Sequence, residues 1–414
     1  MEIASLLNLQ SPISPKMRIA MVGPFGLHPN KTMASRAMGL ARSFAQQGHA
    51  VKIFMPPWQT PEEADKSWQE DGVEMRYVPL VGGILGITRR MVREILAWQP
   101  DVVHCFKPKA YSGLVAWWLW QFHRSKLRLI MDTDDWEGWG GWNELAPYTP
   151  LQKRFFAWQE QWGMCHCHAL TVASRALQTL AWGMGVPPER VVYVPNGSGI
   201  SNVAARPLRV QLSVIGEQYS VSSRPTVLVY SRLFEFETGR LVEILRGVKT
   251  AVPQLRILMV GAGLYEADAA NFRQQAEAAG IWEAIEDVGW VELEQLPALL
   301  AQAHVGIYLM EDTLLNRTKC PVKLADMLAV GVPVVAEAVG QVGQYVVNGR
   351  TGSTFPTGDI EGIANELIHI LQNPEHQAQL AAGAKAHIAE NFSWEKLADR
   401  LWLAYKNQSI DSAD

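Results

Sequence analysis

Lys323 and Asp326 stand three residues apart in the segment RTKCPVKLADMLAVGVPVV. On a helix, that spacing puts an ammonium and a carboxylate on one face. Such a pair suits a phosphate and a ribose hydroxyl, although an ordinary intrahelical ion pair has the same spacing. Near the N-terminus, GPFGLHPNKT offers Gly23 and Gly26, where backbone can approach a ligand ahead of a helix N-terminus that favours an anion. A tight strand-to-helix turn without a ligand explains these glycines equally well. Asp132, Asp134 and Asp135 follow an apolar run in LIMDTDDWEG. Three carboxylates there could position a hydroxyl, orient a sugar or take a divalent cation through hard oxygen ligands; a solvated acidic turn is the plain alternative. Beside them, DWEGWGGW carries Trp136, Trp139 and Trp142 among three glycines, too many for a stable helix. Rings on such a loop suit stacking on a sugar or lipid, and a folded-down structural loop is the competing reading. Cys165-His166-Cys167-His168 looks like a metal cluster, but successive residues diverge on a helix and alternate on a strand. Packing is the expected role there, and no metal is expected in the protein.

These groups need elements to hold them. Apolar runs at Met17–Val22, Val51–Met55, Asp101–Cys105, Leu127–Met131, Leu170–Ala173 and Val191–Val194 alternate with helical periodicity. After Asn196-Gly197 a serine-rich stretch interrupts the pattern. It resumes with Thr226–Tyr230, Arg256–Val260, Glu286–Val288, Val305–Leu309 and Val334–Ala336. Strand–helix alternation implies parallel, doubly wound sheets, whose ligands sit beyond the carboxyl ends of the strands. The expected organisation is a loose extension (1–16), an α/β domain (17–200), a linker (201–224), a second α/β domain (225–392) and a closing helical segment (393–414) free to cross back to the first domain. Two domains suit 414 residues. A net charge of −4 excludes a nucleic-acid footprint. Four cysteines without paired spacing fit a reducing cytosol, and no apolar run approaches a membrane span. Neither half carries a full G-x-G-x-x-G, which argues against a nicotinamide enzyme. Nine of the 16 tryptophans fall between Trp98 and Trp162. Core or interdomain packing accounts for those in helices, while Trp117, Trp118 and Trp120 could instead face a membrane, leaving peripheral attachment at its inner face open. Oligomeric state is not legible.

The order of several loose motifs is more specific than any one of them. MRIAMVGPFGLHPNKTMASRAMGLARSFAQQGHAVKIF, DVVHCFKP, RVVYVPNG, ILMVGAG, GWVELEQLPALLAQAHVGIYL and AVGVPVVAEAVGQVGQYVVNGRTG follow one another across nearly the whole chain. Together they resemble the retaining, nucleotide-sugar-dependent glycosyltransferases of group 1 (family 4). The resemblance implies a GT-B fold, two Rossmann-like domains facing across a cleft, with the acceptor in the first and the donor in the second. It implies Gly26, Arg232 and Lys323 on the donor diphosphate, Asp326 on the ribose, and Gly261 and Val291 near the nucleobase. Glu237 stands near where the family has a second diphosphate lysine, and Lys323 is the natural substitute. The first of the family's two glutamates aligns with Thr318, with Glu311 the nearest upstream acid, so both are candidates for the donor sugar. Asp134 takes the place of a histidine near the reacting carbon and is the catalytic candidate; Asp135, Trp136, Trp139 and Trp142 are candidates for the acceptor. The implied partners are an NDP-sugar co-substrate and a saccharide or lipid-linked acceptor, with no cofactor. A nucleotide-sugar-binding protein of weak activity and a GT-B epimerase are the alternatives.

Overall fold

The computed structural model describes residues 16–28, 32–200, 224–261 and 263–406. The expected extension and linker therefore lie, but for Lys16 and Arg224, outside the described residues. Apolar runs become strands covered on both faces, as parallel sheets require. In the first half these are β1 (Arg18–Val22), β2 (Ala50–Met55), β3 (Ser67–Glu70), β4 (Val73–Tyr77), β5 (Val102–Phe106), β6 (Arg128–Thr133), β7 (Ala169–Val172) and β8 (Val191–Tyr193). They form one sheet in the order β3-β4-β2-β1-β5-β6-β7-β8, parallel except where β3 runs against β4. The helices are α1 (Met38–Gln46), α2 (Gly83–Ala97), α3 (Ala110–His123), α4 (Trp142–Leu145), α5 (Pro150–Cys165) and α6 (Arg175–Gly183). α1 buries Leu40 and Phe44 on one face of the sheet, and α2, α3, α5 and α6 cover the other.

The second half repeats the plan with β9 (Thr226–Tyr230), β10 (Arg256–Val260), β11 (Ile285–Asp287), β12 (Val305–Tyr308), β13 (Val334–Glu337) and β14 (Gly352–Phe355), ordered β11-β10-β9-β12-β13-β14. Its helices are α7 (Thr238–Ala251), α8 (Glu266–Ala278), α9 (Leu296–Leu300), α10 (Leu314–Thr318), α11 (Val322–Ala329), α12 (Val342–Tyr345), α13 (Ile360–Gln372) and α14 (Pro374–Asn391). β3, β4 and β14 have no counterpart in the hydrophobic reading. β3 (SWQE) and β14 (GSTF) are edge strands with little apolar content, and β4 alternates instead of running apolar.

A last helix, α15 (Trp394–Lys406), lies on the first sheet rather than the second. Leu397, Leu401 and Tyr405 enter the core beside Phe44, and the Tyr405 hydroxyl meets His104 Nδ1 at 2.8 Å. Trp394 donates to the Ser198 carbonyl at 2.9 Å and fills the space over Gly39, where a Cβ would come within 2.4 Å of the indole. The two places where the chain passes between the halves are neighbours: a Cβ on Gly197 would stand 2.7 Å from the Phe392 carbonyl oxygen.

Candidate active site

In the first half, the site grows from the carboxyl end of β6. Asp132, its penultimate residue, is fully buried and receives both arms of Arg36, Nε at 2.8 Å and Nη2 at 2.6 Å. Arg36 belongs to a π-turn, Met33–Ala37, that opens the first helical segment and also donates to Pro195 and Asn196. Burial opposes ionisation of Asp132, but Arg36 and a 2.6 Å bond from Thr171 hold it below the ordinary carboxylate range. Asp132 is therefore a structural anchor.

Asp134 sits beyond it, accepting from Thr32 Oγ1 at 3.2 Å. The Lys107 ammonium lies 3.0 Å from its Oδ1, an electrostatic contact without hydrogen-bond alignment. That single buried cation also faces Asp135 at 3.3 Å and Glu137 at 2.9 Å, so an amino group occupies the place a divalent cation would need. Burial, reinforced by Asp135 and Asp132, pushes Asp134 up to about 6 despite Lys107. Burial acts the same way on Glu137, yet Lys107 and Lys109 draw it down to about 2. Two carboxylates sharing one lysine are thus separated in protonation behaviour, the usual arrangement where acid and base roles divide. Nothing about Lys107 as a single residue marks it in the sequence; its signal is a lysine directly after the buried strand in DVVHCFKP.

The three tryptophans divide. Trp136 is buried, its Nε1 donating to the Trp139 carbonyl at 2.7 Å, and Cβ atoms on Gly138 or Gly141 would collide with it. The glycines are there to wrap this ring, so Trp136 holds the loop. Trp139 is 48% exposed. Trp142 reaches the second half, its ring 5.6 Å from Phe234.

In the second half, Arg232 follows β9 and Lys323 opens α11. The Lys323 ammonium is buried, has no hydrogen-bond partner and sits 4.8 Å over the Tyr230 ring. A Cβ on Gly261, which follows β10 with φ +84°, would stand 3.8 Å from it. Burial lowers Lys323 to about 7; Glu235 favours the charge, while Arg232 and Lys319 oppose it. Lys319, not singled out from the sequence, is buried 3.1 Å from Asn316 Oδ1, with its charge 4.2 Å from the Phe234 ring. Glu235 separates the cations, 3.3 Å from Arg232 and 3.6 Å from Lys319. Glu237 is exposed at the start of α7, outside this group.

Other candidates are engaged elsewhere. Lys323 and Asp326 do not pair; Asp326 Oδ1 accepts from Ser198 Oγ at 2.9 Å, Gly199 N at 2.8 Å and Ile200 N at 3.4 Å. Burial still raises this carboxyl to about 6. The Thr318 hydroxyl donates back to Leu314 and Leu315 within α10, and Glu311 pairs with Arg240 at 2.7 Å. Gly26 faces Tyr77, whose hydroxyl accepts from Leu27 N at 2.9 Å. Val291 is half-buried against the second core. His168 Nδ1 accepts from Leu129 N, whereas His166 stacks on Trp162 at 4.5 Å, so the Cys-His pairs serve separate packing contacts.

Two parallel-sheet domains, with cations gathered at the strand ends of one and carboxylates at those of the other, define a GT-B transferase. Residues 31–197 match the glycosyl transferase 4-like domain and residues 217–387 match glycosyl transferases group 1. A phosphatidyl-myo-inositol mannosyltransferase of Mycobacterium leprae is 22% identical over 94% of this chain and 96% of its own. A GDP-mannose-dependent alpha-(1-6)-phosphatidylinositol monomannoside mannosyltransferase of Mycolicibacterium smegmatis is 26% identical over 85% of this chain and 89% of its own. Among solved structures, a sucrose-phosphate synthase from Thermosynechococcus elongatus shares the fold at a TM-score of 0.68 and 18% identity, covering 94% of this chain and 98% of its own. Anabaena HepE with UDP and glucose does so at 0.67 and 17%, covering 93% and 98%. The chain belongs to the group 1 glycosyltransferases, enzymes that move a sugar from a nucleotide-sugar donor to a saccharide or lipid acceptor. Among the described residues, no helix is long and apolar enough to cross a membrane.

Proposed function

We propose that the enzyme transfers a hexose, with retention, from a nucleoside-diphosphate sugar to a lipid-linked acceptor presented at a membrane surface. The observation that carries the donor side is the Lys323 ammonium, buried without a hydrogen-bond partner beside Gly261. A buried unpaired cation is costly, and a diphosphate supplies the missing anion. Arg232 and Lys319 complete the clamp, and Glu235 holds the cations apart until the donor enters. Charge develops on the departing diphosphate as the glycosidic bond breaks, so fixed cations act where electrostatic stabilisation matters most. The departing phosphate takes the proton from the attacking acceptor hydroxyl on the same face, while Asp134 accepts a hydrogen bond from a neighbouring hydroxyl of the acceptor and so orients the nucleophile. Trp139 and Asp135 contact the acceptor, Gly26 lets the first loop approach the diphosphate, and Gly261 and Val291 border the base. With its Oδ1 occupied, Asp326 is assigned to holding the interdomain connector, leaving only its other oxygen for a ribose. A lipid acceptor is supported by the phosphatidylinositol acceptors in the names of relatives aligned along most of both chains.

A thermal-shift screen with GDP-mannose and UDP-glucose tests the donor side, since a ligand at 100 times its Kd adds about 2.7 kcal/mol of stability. One donor should stabilise the wild type and lose that effect in Lys323→Ala. An undiminished shift in the variant, or conversion of the nucleotide sugar with no acceptor product, would overturn the reading.

A further inference from the structure

The outer surface of α5 is apolar where a globular protein needs it polar. Its core face carries Ala157, Glu160, Gly163 and Met164, all buried. Leu151, Phe155, Trp158 and Trp162 recur at i, i+4, i+7 and i+11, a single stripe on the side facing away from that core. Leu151 is 79% exposed, Phe155 40% and Trp158 44%. The rings form a ladder: Phe155 stacks on Trp158 at 5.8 Å, and Trp158 lies 6.0 Å from Trp162. The adjoining α3 has the same character. Its sequence AYSGLVAWWLWQFH holds no Asp, Glu, Lys or Arg; half-buried Trp117 and Trp118, the latter also packed on the core, meet Phe122, which is 61% exposed. A helix apolar all round is normally buried in protein or lipid. At about 21 Å of rise, α3 is too short to span a bilayer core of about 30 Å. Among the described residues, no other element covers this face.

Charge distinguishes the occupant. The whole chain is acidic, with a net charge of −4. Across α2, α3 and α5, which pack on the same side of the first sheet, the balance reverses: Arg89 and Arg93 lie exposed on α2, Arg124 and Lys126 follow α3, and Arg154 lies exposed on α5. The only acids in α2, α3 and α5 are Glu94, paired with Arg76 at 2.9 Å, and Glu160, which is fully buried. Amphipathic indoles at headgroup depth, rimmed by basic residues, are what an anionic bilayer surface selects. We infer that the outer faces of α3 and α5 form a docking surface for an anionic membrane. The stripe begins just after the loop bearing Trp139 and Trp142, so a docked enzyme holds that loop close to the lipid surface. The inference deepens the membrane-presented acceptor proposed above and rests on that reading for its purpose.

Vesicle flotation of the full chain, with no acceptor lipid present, is the test. Wild type should float with phosphatidylcholine–phosphatidylglycerol vesicles at low salt, and far less with phosphatidylcholine alone. The double variant Phe155→Ser/Trp158→Ser should partition at least tenfold less, with an unchanged melting temperature and unchanged nucleotide-sugar binding. Should that variant fail to fold, Arg89→Glu/Arg93→Glu should abolish the preference for phosphatidylglycerol. Wild type that stays unbound, or variants that float equally well, overturn the inference. So does sedimentation showing a wild-type dimer that the double variant dissolves, since a second copy of the chain would then own the face. Flotation that persists while no nucleotide sugar binds would count against the proposed transfer alone.

Discussion

The indole of Trp142, carried by the glycine-rich loop of the first domain, lies 5.2 Å from the Lys319 ammonium in the second. One ring therefore belongs to both halves of the cleft, and it also stands 6.0 Å from the Arg232 guanidinium. Removing it should weaken donor binding although the residue sits in the acceptor domain. A cation–π contact contributes about 0.5–2 kcal/mol, so Trp142→Ala should raise the donor Kd roughly 2- to 30-fold while Trp142→Phe largely preserves it. Calorimetric titration decides, and an unchanged Kd removes Trp142 from the donor site.

Lys323, held down to about 7 mainly by burial, is half neutral in the free enzyme at neutral pH. A diphosphate stabilises its charged form, so donor affinity should fall roughly tenfold per unit as pH rises above 7, with proton uptake on binding. Titrations in buffers of different ionisation enthalpy measure that uptake; a flat profile would contradict the assignment. Lys323→Ala should lose the pH dependence and about 1.5–3 kcal/mol of donor binding, the worth of one charged hydrogen bond.

Asp134, raised to about 6, becomes a carboxylate as pH rises through that value. If it orients the acceptor, kcat/KM should climb to a plateau above about 6, and Asp134→Asn should remove this limb and cost about 1.5–3 kcal/mol of transition-state stabilisation, the worth of one hydrogen bond to a charged group. The effect on stability has the opposite sign. A carboxyl whose folded pKa exceeds its ordinary 3.8 destabilises the fold as pH rises from there to about 6, so Asp134→Asn should melt no lower than wild type at pH 7.

Trp139 is the exposed ring of the loop, and its neighbours Trp136 and Trp142 are occupied by packing. Trp139→Ala should therefore raise the acceptor KM with donor Kd unchanged. Stacking of one ring supports an increase of roughly 2- to 12-fold. Loss of donor binding in steady-state and equilibrium assays would instead make the ring structural.

Gly39→Ala would drive a methyl into the Trp394 indole, since the added atom would stand within 2.4 Å of it. Overpacking of this kind costs about 1–3 kcal/mol, measurable by urea unfolding. The loss should appear as detachment of α15 from the first sheet.

The two sheets were legible because their strands, covered on both faces, read as unbroken apolar runs; Thr226–Tyr230 and Arg256–Val260 coincide with β9 and β10. Edge strands carry less apolar surface, which hid β3 and β14. Lys323 was legible from its place in PVKL, whereas Lys319, four residues earlier, gains its meaning from Phe234 and Trp142, which only tertiary folding brings to it. Asp326 shows the converse. Its helical spacing from Lys323 pointed to a shared ligand, but backbone donors from Gly199 and Ile200 claim one oxygen, and no local pattern encodes them. The glycines around Trp136 left both a stacking loop and a folded-down loop open; at Trp136 they make room for one buried ring.

Among the described residues, β1 and α15 belong to the same layer of the first domain, with the donor domain between two passages that lie side by side at Gly197 and Phe392. A body attached by two adjacent covalent strands swings about the line joining them and resists twisting or sliding. Any opening of the cleft would follow that one angle, with Lys319 meeting the Trp142 indole in the arrangement seen here. The absence of a side chain at position 197 is what lets the two passages touch closely enough to act as a single axle.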